Sequence, residues 1–221
     1  MPDDILRPKE SVHPAYYSSS GEKLPSVTTI LGIVSKPFLT KWANSMGLKG
    51  INTEDYTRNI TGIGTLAHAK VQGFLEGKEV DESGYTAEQR GTANQCFIKF
   101  MEWRRAHAVE LIFSEKSLVS ERNGYGGTID AFLLVDGTPT IVDFKTSGSV
   151  SIEYFAQLAA YYQMMGENGF NAERLAILWL PKDERGFEYI TKEISETGPY
   201  WEFFRAALAL YVARREMGAN P

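Results

Sequence analysis

The hydrophobic and polar positions of the chain follow two different periods. Between about residues 26 and 108, apart from 47–60, apolar residues recur every three or four positions, which is typical of amphipathic helices. From Leu111 onward, apolar residues come in short runs separated by Gly, Asp or Pro, which is typical of strands. Helical periodicity returns over about 151–166 and 198–217. The pattern therefore predicts an α/β fold with a mixed central sheet flanked by helices and with additional helices at the N-terminal side.

Local signals predict where these elements begin. Ser26 and Ser151 are suitable N-caps, and Pro37 suits the first turn of a helix. Residues 47–60 show no helical pattern and are expected to form a loop. The longer predicted helices cover about 65–76, after Gly62 and Gly64, and 86–108. The predicted strands are the two segments that flank Asp136-Gly137 and the segments 111–119, 174–180 and 187–194.

The most informative segment surrounds the dipeptide Asp136-Gly137, which joins two apolar-rich strands. Asp-Gly in this position favours a two-residue type I′ turn, and such a turn sets the register of the strands. Val135 then faces Thr138, and the same register places Asp130 opposite Asp143, with Cβ atoms roughly 5 Å apart. Two like charges at this distance destabilise a sheet, unless a bound divalent cation reverses the balance.

Lys145 adds a positive charge to the same patch, because it follows Asp143 by two residues and leaves the strand on the same face. Two carboxylates and an ammonium together are typical of a metal-dependent site that cleaves phosphodiester bonds. The ordinary alternative is a pair of solvated strand carboxylates, and a bulge or a longer loop through Pro139 would shift the pairing by one residue. The apolar run 141–145 favours burial, and therefore the site, over solvated carboxylates.

Composition limits the classes of function. The chain has 221 residues, 43% hydrophobic and 23% charged, which suits one globular domain or one and a half. Its one cysteine, Cys96, is expected in the core and excludes a disulfide framework or an iron–sulfur cluster held by this chain alone. The net charge of −5 disfavours a broad surface that coats nucleic acid, although a nuclease groove needs only a few cations. Without a signal-peptide-like or membrane-spanning run, a cytoplasmic protein is expected.

Four short motifs, in order along the chain, resemble those of a known superfamily. They are Gly64-Thr65-Leu66-Ala67-His68, Gly127-Thr128-Ile129-Asp130, Ile141-Val142-Asp143-Phe144-Lys145 and Gln157-Leu158-Ala159-Ala160-Tyr161. Together with residues 24–31, they resemble the PD-(D/E)XK nucleases, and within them the RecB-like exonuclease branch with its short phage and mitochondrial members. The resemblance covers about 16–165. It implies a restriction-endonuclease-like core over 61–221, on which an N-terminal segment and helices (1–60) pack.

The resemblance also implies a set of metal ligands. In the family, a helical histidine, two aspartates and the main-chain carbonyl after the second aspartate hold one cation, here His68, Asp130, Asp143 and the oxygen of Phe144. Three oxygens and one nitrogen suit Mg²⁺ or Mn²⁺. A buried core histidine is the ordinary alternative for His68. Glu115, on the preceding strand, is a candidate second-metal ligand or supporting acid, and a solvated position is equally compatible with its pattern.

Two further groups of residues are candidates for contacts with a nucleic-acid strand. Gln157 and Tyr161 lie on one face of a predicted helix, with Tyr154 one turn earlier, and they would offer hydrogen bonds and a stacking face. Ordinary amphipathic packing is the alternative. Basic and aromatic residues that could line a groove, but are more often solvated, are Lys36, Lys41, Trp42, Lys99 and Arg104.

These features predict a Mg²⁺- or Mn²⁺-dependent DNA exonuclease that acts on single-stranded or end-processed DNA. Lys145, Asp130 and Asp143 would be its catalytic residues, with Lys145 stabilising charge at phosphorus rather than acting as a base. One alternative is a non-catalytic DNA-binding module on a nuclease fold. Another is the nuclease subunit of a recombination or helicase complex. Because the chain has no phosphate loop of its own, a helicase, recombinase or single-strand-binding partner would be a separate chain, in a bacterial or phage-infected cell engaged in DNA repair or recombination.

Overall fold

The structure is a computed structural model that describes residues 5–8, 14–34 and 37–218. The helices in these ranges are α1 (Val27–Gly32), α2 (Pro37–Leu48), α3 (Thr53–Glu76), α4 (Ala87–Ala106), α5 (Ile152–Glu167) and α6 (Gly198–Glu216), with a 3₁₀ helix at Ile194–Glu196. The strands are β1 (Ile5–Leu6), β2 (Tyr16–Tyr17), β3 (Lys23–Leu24), β4 (Glu79–Val80), β5 (Val109–Ser120), β6 (Tyr125–Val135), β7 (Thr138–Lys145), β8 (Arg174–Trp179) and β9 (Glu188–Glu193).

A five-stranded mixed sheet forms the centre of the fold, in the order β5-β6-β7-β8-β9. Within this sheet, only β7 and β8 pair in parallel, and α5 makes the crossover between them. Helices cover both faces of the sheet: one hydrophobic cluster contains residues of α1, α5 and α6, and the other contains residues of α3 and α4, Cys96 among them. Successive residues of β8, such as Ile177 and Leu178, point into opposite clusters, so this strand is buried on both faces of the sheet. The predicted α/β class is confirmed.

The hairpin β6–β7 has the predicted turn and register. Asp136 and Gly137 have φ values of 50° and 79°, as a type I′ turn requires at both central residues. Asp136 stays in this conformation because its carboxylate accepts the backbone N–H of Ala108 at 2.8 Å. The ladder runs from Val135 opposite Thr138 to Ala131 opposite Val142. Asp130 and Asp143 are the next residues on the two strands.

Helix α3 begins earlier than the sequence predicts. The expected loop over 47–60 is wrong, because α3 starts at Thr53 and runs without interruption through Gly62 and Gly64. Asn52 caps the helix by accepting hydrogen bonds from the N–H groups of Glu54 and Asp55 at 2.9 and 3.3 Å. The first turns of α3 are mostly polar, so the sequence shows no helical spacing of apolar residues there. The boundary suggested after residue 60 falls within this helix, so the division into 1–60 and 61–221 stays a prediction.

The two predicted serine caps behave differently. Ser26 caps α1, where its hydroxyl oxygen accepts the N–H of Thr29 at 2.9 Å. Ser151 occupies the N-cap position of α5 but donates its hydroxyl to the carboxylate of Glu153 instead of accepting a backbone N–H. The N-terminus of α5 is therefore organised by a side-chain pair. None of the described helices is long and apolar enough to span a bilayer.

The segment before α1 packs on the sheet at the start of β6. The N–H of Gly126 donates to the carbonyl of Pro25 at 2.9 Å, and the ring of Tyr16 lies directly over Gly126. A Cβ on Gly126 would lie 2.3 Å from Cγ of Tyr16, a distance that side chains do not tolerate. The hydroxyl of Tyr16 is hydrogen-bonded to Thr128 at 2.8 Å. The absence of a side chain at residue 126 thus permits the N-terminal segment to dock.

We expect Gly126→Ala to lower the free energy of unfolding by about 1–3 kcal/mol, because the added methyl group displaces Tyr16. Thermal unfolding followed by circular dichroism measures the effect. Gly84→Ala is the control, since a Cβ there meets nothing within 4 Å, and it should leave the melting temperature unchanged or slightly higher. Equal melting temperatures for the two variants would contradict the docking of Tyr16 on Gly126.

Candidate active site

A cleft of about 710 Å³ opens between α3, the first half of β6, the end of β7, the first turns of α5 and the N-terminal segment. It contains the predicted residues His68, Glu115, Asp130, Phe144, Lys145, Tyr154, Gln157 and Tyr161. Its lining also includes Tyr16, Thr128, Thr146 and Lys182, which the sequence analysis did not single out. Residues of all four motifs therefore line one concave surface, but the predicted residue Asp143, which is 1% exposed, is not among them.

Asp143 and Lys145 form a close ion pair at the end of β7. The Nζ atom of Lys145 lies 2.7 Å from Oδ2 of Asp143, whose side chain is only 1% exposed. Neither oxygen of Asp143 has a well-aligned hydrogen-bond donor. A carboxylate buried with such poor satisfaction is costly, so this position is better suited to a cation than to a structural role.

Asp130 is oriented by the neighbouring strand. Its Oδ2 atom accepts the backbone N–H of Phe144 at 2.9 Å, which ties the carboxylate to the residue between Asp143 and Lys145. Burial raises the pKa of Asp130 to about 6, against the opposing effect of Lys145. Burial likewise raises the pKa of Asp143 to about 6, and the charge of Asp130 adds to the increase. The two carboxylates thus resist carrying two negative charges together.

The charge of Lys145 is favoured by the same environment. Burial opposes its ammonium form, but Asp143 and Asp130 outweigh that effect and raise the pKa of Lys145. The side chain therefore remains a cation and is unsuited to act as a general base. Its ammonium also donates to Oε1 of Gln157 at 3.2 Å and lies 4.8 Å from the centre of the Tyr154 ring.

Helix α3 brings His68 to the carboxylates. Nδ1 of His68 lies 3.5 Å from Oδ2 of Asp130, and the imidazole packs edge-on against Phe144. Burial, followed by the charge of Lys145, lowers the pKa of His68, so the ring is neutral and able to act as a ligand. Gly64 lies one turn earlier, and a Cβ there would be 3.1 Å from Oγ1 of Thr146. A side chain there would require Thr146 to shift by a few tenths of an ångström, so this glycine favours the close approach of helix and sheet.

No three His, Cys, Asp or Glu side chains of the described residues are arranged as a ready-made metal site. The reason is visible in the contacts, since Asp143 turns toward Lys145 and Asp130 toward the backbone of Phe144. The donor set nevertheless fits a hard divalent cation, because it combines a poorly satisfied buried carboxylate with a second carboxylate and a neutral imidazole. The ligand set of His68, Asp130, Asp143 and the oxygen of Phe144 stays a prediction.

Glu115 lies beside Asp130 in a left-handed conformation within β5. Its φ is 47°, and it falls between the pairs Ser114–Ala131 and Lys116–Ile129, that is, alongside Asp130. This conformation is unfavourable for a residue with a side chain. The carboxylate lines the cleft, is half-buried and contributes to the raised pKa of Asp130. The structure thus brings a third acid to the site, and its role as a ligand stays a prediction.

Helix α5 presents Gln157 and Tyr161 to the site in an unexpected way. Nε2 of Gln157 donates to the hydroxyl of Tyr161 at 2.9 Å, so that a chain of hydrogen bonds runs from Lys145 through Gln157 to Tyr161. Tyr161 is only 3% exposed and packs over Gly127, where a Cβ would lie 2.5 Å from its ring. Because both ring faces are covered, Tyr161 offers no surface on which a base could stack. Tyr154, which is half-buried, is the more accessible aromatic ring of the cleft.

The other groove candidates that the structure describes do not line the cleft. Lys99 donates to the carbonyls of Pro181 and Asp183, both at 2.5 Å, and Arg104 donates to the carbonyl of His107 at 2.9 Å. Lys41 and Trp42 belong to α2 and are not part of the cleft lining, and Lys36 lies outside the described residues.

Comparison with known proteins gives weak similarities only. The chain matches no protein-family model and no curated protein sequence. It is similar to the solved structure of a candidate exonuclease from Eubacterium rectale, at 12% identity and a TM-score of 0.47, over 69% of this chain and 65% of that protein, just under two thirds of its length. It is also similar to an alkaline exonuclease, LHK-Exo, from Laribacter hongkongensis, at 16% identity and a TM-score of 0.34, over 70% of this chain and 84% of that protein. That exonuclease has also been solved in complex with dAMP, and this structure gives a TM-score of 0.32. At these identities and TM-scores, the function has to be inferred from the residues of the cleft.

We expect Tyr161→Phe to lower the free energy of unfolding by about 1–3 kcal/mol, because it leaves the buried Nε2 of Gln157 without an acceptor. In a Gln157→Leu background, the same change should cost much less, since the orphaned donor is gone. Denaturant unfolding of the four proteins of this cycle measures the difference. The control is Tyr162→Phe, one residue further on α5, whose hydroxyl has no hydrogen-bond partner among the described residues. Equal costs of Tyr161→Phe in both backgrounds would contradict the hydrogen-bond chain.

Proposed function

We propose that this chain is a Mg²⁺- or Mn²⁺-dependent nuclease of the PD-(D/E)XK type, within the RecB-like exonuclease branch. One observation carries the proposal: Asp130 and Lys145 line the cleft, and Asp143, on the strand next to Asp130, is buried without well-aligned donors at 2.7 Å from the ammonium of Lys145. A stable sheet gains nothing from this arrangement. A restriction-endonuclease-like core is the fold that this order of helix, three strands, helix and strand supports.

A divalent cation at this site would be held by His68, Asp130, Asp143 and the main-chain oxygen of Phe144. When bound, such an ion lowers the pKa of water and neutralises charge on a phosphate. The protein keeps the imidazole neutral and gathers the two carboxylates, so that both become available as ligands once a cation relieves their mutual repulsion. Glu115 is suited to support Asp130 or to contribute to a second cation position.

Lys145 supplies the fixed positive charge of the reaction. Its ammonium would orient the attacking water and stabilise the negative charge that develops on the phosphoryl oxygens during in-line displacement. Gln157 holds the ammonium in place and is itself held by Tyr161, which gives Lys145 little freedom. Preorganisation of this kind is effective because the donor does not have to reorient during the reaction.

The finer assignment to single-stranded or end-processed DNA rests on the resemblance of the four motifs and on the shape of the cleft. A groove in which Tyr154 is the accessible ring suits the unpaired end of a strand better than a wide duplex. The proposal also includes a role in DNA repair or recombination, in the cytoplasm of a bacterium or a phage-infected cell. A helicase, recombinase or single-strand-binding protein would act with this chain as a separate partner. A non-catalytic DNA-binding module is the alternative, and cleavage of an oligonucleotide by the purified protein would exclude it.

Metal binding should be measurable without activity. We expect Mn²⁺ at about 100 times its Kd to stabilise the chelator-treated protein by about 2.7 kcal/mol, which corresponds to a rise in melting temperature of roughly 5–10 °C. Asp143→Asn and His68→Ala should lose most of this rise, whereas Asp81→Asn, an exposed carboxylate near α3, should keep it. Equal Mn²⁺-induced shifts of the melting temperature in all three variants would contradict the assignment of His68 and Asp143 as metal ligands.

Catalysis is tested with end-labelled single- and double-stranded oligonucleotides in Mg²⁺, Mn²⁺ or chelator. Lys145→Ala should lower kcat by about 10²–10³-fold, as removal of a preorganised electrostatic group does elsewhere. It should retain the Mn²⁺-induced rise in melting temperature. The control is Lys116→Ala on β5, whose ammonium lies over the Phe170 ring at 4.8 Å and does not line the cleft. Binding of DNA without cleavage in either metal would favour the non-catalytic module.

A further inference from the structure

A second lysine enters the cleft from the segment that follows β8. Since β7 and β8 are parallel neighbours, their C-terminal ends lie side by side, and residues just beyond each strand meet. The ammonium of Lys182 donates to the carbonyl oxygen of Thr146 at 2.8 Å and to its hydroxyl at 3.0 Å. Lys182 lines the same cleft as Lys145, but from the adjacent strand.

The backbone around Thr146 does not need Lys182 to stay in place. Three other groups around the same segment donate to the flanking carbonyls. The N–H of Leu180 donates to the carbonyl oxygen of Lys145 at 2.7 Å, and the indole N–H of Trp179 donates to that of Ser147 at 2.7 Å. The guanidinium of Arg185 donates to the carbonyl oxygen of Gly148 at 2.9 Å. Four successive carbonyls, 145–148, are thus bound by donors of residues 179–185. Lys182 is therefore an ammonium fixed to a rigid frame.

The charge of Lys182 lacks an anion. Across the parts of the chain that the structure describes, no carboxylate lies within ion-pair distance of Lys182, whereas Lys145 is paired with Asp143 and Lys70 with Glu82. Lys182 is only partly exposed, and cations that are withdrawn from water are usually paired. An ammonium has three donors, and Thr146 takes two of them. The third donor and the full charge remain for a group in the cleft.

We propose that Lys182 binds a phosphate of the nucleic-acid strand next to the phosphate that is cut. The inference rests on the proposed nuclease function and names part of its substrate. Lys145 is committed to the carboxylates at the cutting position, and the head of Lys182 is held one residue further on, at Thr146, so the two lysines serve different phosphates. A lysine suits this task because it recognises phosphate charge irrespective of base sequence. The enzyme would then prefer strands with several phosphates over a single diester.

The test compares a thymidine dinucleotide, which has one phosphodiester, with a longer oligothymidylate. For the oligonucleotide, Lys182→Gln and Lys182→Ala should raise KM roughly 10-fold or more, as the loss of a hydrogen bond to a charged group does. Cleavage of the dinucleotide should be unchanged in both variants, and Lys182→Arg should restore much of the affinity for the longer strand. The matched control is Lys99→Ala, because Lys99 donates from outside the cleft to the carbonyls of Pro181 and Asp183, the two neighbours of Lys182 in the chain.

A second measurement needs no catalysis. In chelator, the dependence of oligonucleotide affinity on salt should lose about 0.7 from its logarithmic slope in Lys182→Gln, as expected for one phosphate contact fewer on a single strand. Lys99→Ala should keep the wild-type slope. Lys182→Arg should keep it too, because its guanidinium retains the charge, and Lys182→Ala provides the neutral comparison if Lys182→Gln does not fold.

The two proposals can fail separately. If the wild-type protein cleaves neither substrate in Mg²⁺ or Mn²⁺, the nuclease assignment fails, and the salt slope alone decides the role of Lys182. If cleavage occurs but Lys182→Gln has the wild-type KM and slope, the phosphate contact is wrong. Equal losses on both substrates, with a lowered melting temperature and an unchanged slope, would make Lys182 a tether for Thr146 only and overturn the inference.

Discussion

The structure depends on the placement of two carboxylates, Asp130 and Asp143, beside each other at the end of a buried hairpin. Burial raises the pKa of both, with a further increase from the charge of Glu115 on Asp130 and from that of Asp130 on Asp143, so their presence destabilises the metal-free chain. The surrounding sheet compensates for this cost, because β7 and β8 are covered by apolar helices on both faces. Lys145 offsets one charge and the backbone of Phe144 satisfies part of the other. What remains unsatisfied, chiefly on Asp143, is the part of the site that is available to a ligand.

Close approach of backbones makes the arrangement possible. Gly64 allows α3 to contact Thr146, which brings His68 to Asp130, and Gly126 and Gly127 receive the rings of Tyr16 and Tyr161 from the N-terminal segment and α5. Each glycine replaces a side chain at a point where two elements would otherwise be held apart. The cleft therefore forms where three elements converge on the start of β6 and the end of β7.

The sequence predicted the parts of this site that local chemistry determines. The Asp136-Gly137 turn specifies its own register, and the register alone brings Asp130 and Asp143 next to each other on adjacent strands. The start of α3 was missed because its first turns are polar and only Asn52 signals them. The positions of Tyr16 and Lys182 could not be predicted, since they depend on which strands become neighbours in the folded sheet. Tyr161 was placed on the correct face of α5, but its burial depends on Gly127, thirty-four residues away along the chain.

A chain with a negative net charge can still bind a polyanion if a few of its cationic side chains are held in fixed positions. The net charge of −5 gives no long-range attraction for nucleic acid, and several surface lysines and arginines are paired with carboxylates or carbonyls outside the cleft. Lys145 and Lys182, by contrast, are fixed by hydrogen bonds inside the cleft and are only partly exposed, so their charges interact more strongly than charges on the open surface. Discrimination for a strand would then come from the spacing of two rigid ammonium groups around the carboxylates, and it would require no basic surface.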